Sequence, residues 1–241
     1  MVSRIKSIDL NINYDKYCDS DKHKCHAEMF PNSIRMIIAG TSGCGKTNLM
    51  LNLLLGGVLE YNNIIIYTTT PYQEKYKFLR DCNSKSRKIY KINNDIIQFF
   101  SPEDTIMDPS QLDSNKTHLV IFDDVMNEKQ KVMTDYFCRG RHNNVNVFYL
   151  CQSLHQIPKH GIRQNANIFI LFPQDKKTLE YFYNTEITRD MEFEEFQNFC
   201  DDAWSKENGY AIINLWEKPE SGKYMQNYEE IYIPNKYLKI T

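Results

Sequence analysis

Eight consecutive residues, Gly40-Thr41-Ser42-Gly43-Cys44-Gly45-Lys46-Thr47, constrain this chain more than anything else in it. They follow residues 33–39 (SIRMIIA), an Ile-rich run suited to a buried strand, and lead into residues 48–55 (NLMLNLLL), an apolar run that reads as a helix. A strand that turns through glycines into a helix aims backbone N–H groups and a positive helix end at one point, which suits a phosphate chain. This is a Walker A loop, and it predicts nucleotide binding by Gly40, Thr41, Ser42, Gly43, Cys44, Gly45, Lys46, Thr47 and Asn48. Lys46 is expected to reach the β- and γ-phosphates and the Thr47 hydroxyl to bind Mg²⁺, making ATP and Mg²⁺ the expected cofactors. An incidental glycine turn would leave the flanking strand and helix unexplained.

The 241 residues, 41% hydrophobic and 25% charged, fit one α/β unit able to bury its own core. The expected organisation is a single P-loop ATPase domain over 1–241, with a core of about 33–172. An extension at 1–32 and an α+β extension at 173–241 complete it. No apolar run approaches the ~18 residues that span a bilayer, and the first residues, MVSRIKSIDLNINYDKY, lack an apolar signal core. Seven scattered cysteines point to a reducing compartment rather than a disulfide framework. A net charge of -2 argues against a permanently DNA-bound protein. It leaves room for a ring that concentrates a few basic residues in its pore.

Further short β-branched runs predict buried strands at 63–69 (NIIIYTT), 118–123 (HLVIFD), 145–151 (VNVFYLC) and 167–172. Weaker strands are expected at 4–13 and 88–92, helices at 73–82, 95–100 and 128–138, and a loop over 101–115. In the tail, 176–183 and 192–204 read as helices, and 210–216 and 229–234 as strands. Strands alternating with helices predict an α/β fold with a mostly parallel central sheet and helices on both faces. Cys18, His23, Cys25 and His26 cluster, but too tightly for paired zinc ligands.

The run Leu119-Val120-Ile121-Phe122-Asp123-Asp124 fits a Walker B strand: an apolar stretch ending in a carboxylate at the edge where the Walker A loop emerges. Asp123 is expected to hold Mg²⁺, directly or through water, and Asp124 to polarise the attacking water. A strand between the two motifs in sequence is the pattern of the additional-strand, catalytic-acid P-loop proteins. Gln152, after the strand at 145–151, offers both donor and acceptor to a γ-phosphate or its water. Arg139-Gly140-Arg141-His142 carries two guanidinium groups, of which Arg141 is the candidate arginine finger acting on a neighbouring subunit. Neither Asn115-Lys116 nor Asn235-Lys236 is followed by the aspartate that a base-reading GTPase motif requires.

Together these pieces resemble the viral genome-packaging ATPases of the FtsK/HerA superfamily, in particular the poxvirus-type branch of large DNA viruses and virophages. The likeness covers about 34–172. It rests on GTSGCGKT at 40–47, VIFDD at 120–124, RGRH at 139–142, LCQS at 150–153 and QIPKHGIRQNAN at 156–167. The resemblance implies a RecA-like core in a homo-oligomeric ring, a hexamer or pentamer, threading double-stranded DNA into a preformed capsid. It also implies a capsid or portal-vertex partner, and work in the virion or a cytoplasmic viral factory. Its roles carry onto Lys46, Thr47, Asp123, Asp124 and Gln152, and onto Arg141 as the finger, with Arg139 and Arg163 as alternatives. One departure is Asp124, where many superfamily members have glutamate. No terminase-type nuclease domain is expected. Competing readings are another DNA translocase, a helicase-like or partition ATPase, and an ATP-gated capsid assembly factor; Asp124 and Gln152 favour catalysis over gating.

His155, Lys159, His160 and Arg163 form a basic stretch, expected either to face DNA phosphates or to be a solvated loop. Helical spacing of the aromatics at 181–183 and 193–199 predicts core or subunit contact, and 218–223 (KPESGK) predicts a loop tip.

Overall fold

Five short β-branched runs form the centre of a ten-stranded sheet. The computed structural model describes residues 6–7, 26–90, 96–101, 106–187 and 189–238. The strands are β1 (Lys6–Ser7), β2 (Arg35–Ala39), β3 (Asn63–Thr68), β4 (Ile97–Phe100), β5 (His118–Asp123), β6 (Val145–Cys151), β7 (Ile168–Leu171), β8 (Ala211–Asn214), β9 (Tyr224–Gln226) and β10 (Glu230–Tyr232). Their order across the sheet is β1-β10-β9-β8-β7-β2-β6-β5-β3-β4. From β7 to β4 all neighbours are parallel, and from β7 to β1 all are antiparallel.

The helices are α1 (Lys46–Leu55), α2 (Glu74–Tyr90), α3 (Lys131–Arg139), α4 (Lys176–Phe182) and α5 (Phe193–Trp204). Alternation along each strand sends its side chains to opposite faces. Met36, Ile38, Ile64 and Ile66 pack with Met50 and Leu53 of α1, and with Tyr76 and Leu79 of α2. Ile37, Ile65, Val120 and Phe122 pack on the other face with Met133 and Phe137 of α3, Leu179 of α4, and Phe196 and Phe199 of α5. The sheet is mostly parallel at its centre with helices on both faces, as the strand–helix alternation predicts. The aromatics at 182, 196 and 199 are core.

The edges depart from the sequence expectation. Residues 95–100 are expected as helix, yet Ile97–Phe100 is a strand paired parallel to β3. Its Phe99 packs edge-on to Tyr76 and its Phe100 stacks on Tyr67, so aromatic packing outweighs local helical preference. The expected strand at 88–92 is instead the end of α2 through Tyr90, with 91–92 outside the described residues. Of the early strand at 4–13, Lys6–Ser7 is described and pairs with β10. The three-residue β9 has no sequence signal of its own and exists by pairing between β8 and β10. Cys18, His23 and Cys25 lie outside the described residues, while His26 Nδ1 accepts from the Glu60 N–H at 3.1 Å.

Candidate active site

Four parallel strands end in one row. Ala39 of β2 pairs with Cys151 of β6, Leu150 of β6 with Asp123 of β5, and Asp123 with Thr68 of β3. The residues that follow, Gly40, Gln152, Asp124 and the segment into α2, therefore emerge together at the carboxyl edge. Open α/β sheets bind ligands at this edge. In the sheet, β6 lies between the Walker A and Walker B strands, which seats Gln152 between the two motifs.

The glycines shape the loop. Gly45 at φ 112° caps α1 in a left-handed conformation that costs other residues strain. A Cβ on Gly40 would lie 2.6 Å from Phe172 Cβ and 2.7 Å from Cys44 Sγ, so the chain leaves β2 pressed against both. No side chain caps α1 and no acidic residue sits in its first turn, so its N–H groups and positive end are uncompensated. Lys46 Nζ donates to the Gly40 carbonyl at 2.6 Å and the Thr41 carbonyl at 2.8 Å, tying the ammonium group to the loop.

The resulting cleft, of about 220 Å³, is lined by Ser42, Gly43, Gly45, Lys46 and Thr47 from the loop and by Asp123, Asp124 and Gln152. Gly40 and Cys44 pack beneath it, Thr41 is exposed, and Asn48 is exposed on α1 outside the lining. Thr70, Gln73 and Lys75, from the connection into α2 and its first turn, also line the cleft, and sequence reasoning missed them. Their only signal is position directly after a strand that ends at this edge.

Gln152 Nε2 donates to Asp124 Oδ1 at 3.0 Å, joining two residues 28 apart in sequence. Asp124 sits at φ 57°, in the left-handed region, where its N–H donates to Leu150 O at 3.3 Å. Such a conformation costs a non-glycine residue about 1 kcal/mol or more and is concentrated at functional sites. Asp123 is only 6% exposed. Burial raises its pKa, Tyr76's hydrogen bond opposes this, the Asp124 charge adds to it, and Lys46 and Lys75 oppose it; the net direction is up. The fully buried Tyr76 of α2 donates its hydroxyl to Asp123 Oδ2. Burial and the Asp123 charge push the phenol far above its usual range.

The oxygens of Thr47, Asp123 and Asp124 around this cleft suit Mg²⁺, which takes one or two carboxylates and fills its shell with water and phosphate. Among the described residues no group of three or more His, Cys, Asp or Glu is placed to hold a metal.

The arginines separate clearly. Arg139 is paired with Asp135 at 3.0 Å and Asp108 at 3.6 Å. Arg163, in the basic stretch expected either to face DNA phosphates or to be a solvated loop, is 5% exposed. The turn from Pro158 carries its guanidinium over the Tyr181 ring at 4.9 Å, where it donates to the Tyr181 hydroxyl. Its Nε has no partner among the described residues, and it is not available on the surface as a finger or DNA contact. Arg141 is exposed, with no carboxylate partner among the described residues. It lies beside Asn32, Ser33, Thr117 and Asn146, at the edge where β2, β5 and β6 begin. That is the opposite end of the strands from the cleft of its own chain.

The family model for the poxvirus A32 protein matches residues 22–194, well over half of the chain. The chain belongs to the poxvirus A32 protein family. The A32 match takes in every cleft residue named above and stops within α5, so β8, β9 and β10 lie beyond it. The DNA packaging protein OPG160 of Monkeypox virus is 27% identical over 168 residues, 68% of this chain and 55% of that protein. Its namesake in Vaccinia virus (strain Copenhagen) is 28% identical over 160 residues, 64% and 58%. The chain thus spans little more than half the length of these relatives. Solved structures share the fold. The genome packaging NTPase B204 from Sulfolobus turreted icosahedral virus 2, in complex with ATP-gammaS, matches with a TM-score of 0.54 at 12% identity, covering 85% of this chain and 99% of that one. The DNA-packaging ATPase B204 from Sulfolobus turreted icosahedral virus matches with 0.53 at 15%, covering 85% and 98%.

Proposed function

We propose that this chain is an ATP-hydrolysing motor subunit that drives double-stranded viral DNA into a capsid. The observation that carries the catalytic half is the convergence of Lys46, Thr47, Asp123, Asp124 and Gln152 on one cleft at the carboxyl edge of the sheet. Membership of the A32 family, whose relatives are named DNA packaging proteins, supports the packaging half.

In this reading the loop N–H groups and the α1 N-terminus hold the phosphates, and Lys46 adds a positive charge at the β/γ end. Thr47 and Asp123 would hold Mg²⁺, which would neutralise further phosphate charge. Gln152 and Asp124 hold the attacking water, and Asp124 receives its proton. The new O–P bond forms as the bond to the β,γ-bridging oxygen breaks, and ADP departs. Arg141 serves a neighbour's cleft in a hexameric or pentameric ring, because it cannot reach its own. The continuous sheet supports treating 1–241 as one unit around a core of about 33–172. A capsid or portal-vertex protein would dock the ring, in the virion or a viral factory with a reducing milieu.

The test is the ATPase rate at high protein concentration, with and without long double-stranded DNA, across a salt series. DNA stimulation that fades with salt is the expected result, since backbone contacts release counterions. Turnover indifferent to DNA, in protein shown to be oligomeric, would overturn the translocase reading and leave an ATP-gated assembly factor.

A further inference from the structure

We infer that Tyr76 is a positioning residue for the Mg²⁺ ligand Asp123, and that its hydroxyl sets how tightly the site takes the cation. The inference rests on the reading of Asp123 as a metal ligand. Tyr76 stands in the first turn of α2, 47 residues before Asp123, and its hydroxyl is bonded to Asp123 Oδ2. With Oδ2 engaged, Oδ1 is the carboxylate oxygen without a hydrogen bond among the described residues. One oxygen anchored and one released fixes the carboxylate's rotation, which a freely turning side chain at a strand end would lack.

The ring of Tyr76 has a separate job. It packs edge-on against Phe99 with centroids 5.4 Å apart, and the Arg80 guanidinium lies 4.1 Å from the Phe99 ring centroid. Phenylalanine would fill that apolar role equally well. The hydroxyl is the part the packing does not require, and its hydrogen bond goes to the carboxylate. Groups that hydrogen-bond a metal ligand orient it, and their loss commonly weakens metal binding by about 10-fold or more.

The experiment titrates Mg²⁺ into wild type, Tyr76→Phe and Asp123→Asn, each with a fluorescent non-hydrolysable ATP analogue, and records thermal midpoints in parallel. Tyr76→Phe is expected to raise the Mg²⁺ concentration at half-saturation about 10-fold. Nucleotide binding in EDTA should stay within about twofold, and excess Mg²⁺ should restore kcat. If Asp123→Asn shifts the Mg²⁺ midpoint and Tyr76→Phe only lowers thermal stability, Tyr76 is structural and the inference falls while Asp123 keeps its role. If Asp123→Asn leaves the midpoint unmoved, the metal-ligand reading fails and takes the inference with it.

Discussion

Among the described residues, the parallel half of the sheet, β4 to β7, delivers every residue that lines the cleft, and the antiparallel half, β8 to β1, delivers none. Strand direction explains the contrast. Parallel strands all present their carboxyl ends to one edge, so segments far apart in sequence deposit Gly43, Lys75, Asp124 and Gln152 side by side. Antiparallel strands alternate their ends, so they bring no such row to one edge. Asp190 accepts hydrogen bonds from Lys223, from Tyr224 at 2.6 Å and from Tyr237 at 3.3 Å, tying the segment before α5 to β9 and the C-terminal turn. Chemistry and cohesion are thus assigned to different halves of one sheet.

This division predicts a double dissociation. The largest effect is expected at Arg141. Arg141→Ala should lose about 10³-fold or more in turnover with an unchanged thermal midpoint, and mixing it with Lys46→Ala should restore part of the activity. Absence of rescue in verified mixed oligomers would remove the finger in trans. The neighbouring Arg139→Ala, whose ion pairs are half exposed, should change stability by less than about 1 kcal/mol.

Next comes Asp124→Asn, expected to cost about 10²–10⁴-fold in turnover while ATP still binds. Retained hydrolysis would take Asp124 out of the water-activating role.

In the other half, Asp190→Asn should cost about 3 kcal/mol of stability by leaving Lys223 unpaired. The kcat/KM of the folded protein should not change; a selective loss of turnover would break the division. The pH dependence sharpens the same point. Burial pushes the Asp190 carboxyl up, but the bonds from Lys223 and Tyr224 and the Lys223 charge outweigh it and hold the carboxyl below its usual range. Its stabilisation is therefore complete above the unfolded pKa of about 4 and is lost as pH falls through the lower folded value. Acid melts of wild type should show that loss, and those of Asp190→Asn should lack it.

Much of the parallel half was legible because central strands, buried on both faces, read as continuous β-branched runs. The strands at 118–123 and 145–151 match their runs end to end. Edge strands offer no such signal. Residues 97–100 look helical until Tyr67 and Tyr76 are there to pack against, and β9 is three residues defined by its neighbours. Arg163 shows the same limit for charge: a basic loop reads as solvated until a turn folds its guanidinium onto Tyr181.

The amino-acid sequence alone determined the phosphate loop, because its constraints are local: positive-φ glycines, a lysine and a threonine at set spacing, a strand before and a helix after. It also determined the strands whose apolar runs cannot be left in water. Only the tertiary structure decided that Tyr76 grips Asp123, that Gln152 meets Asp124, and that Arg141 stands at the far end of the strands from its own cleft. Those outcomes follow from sheet register and from side-chain contacts across long separations in the chain, where no local pattern fixes the partner.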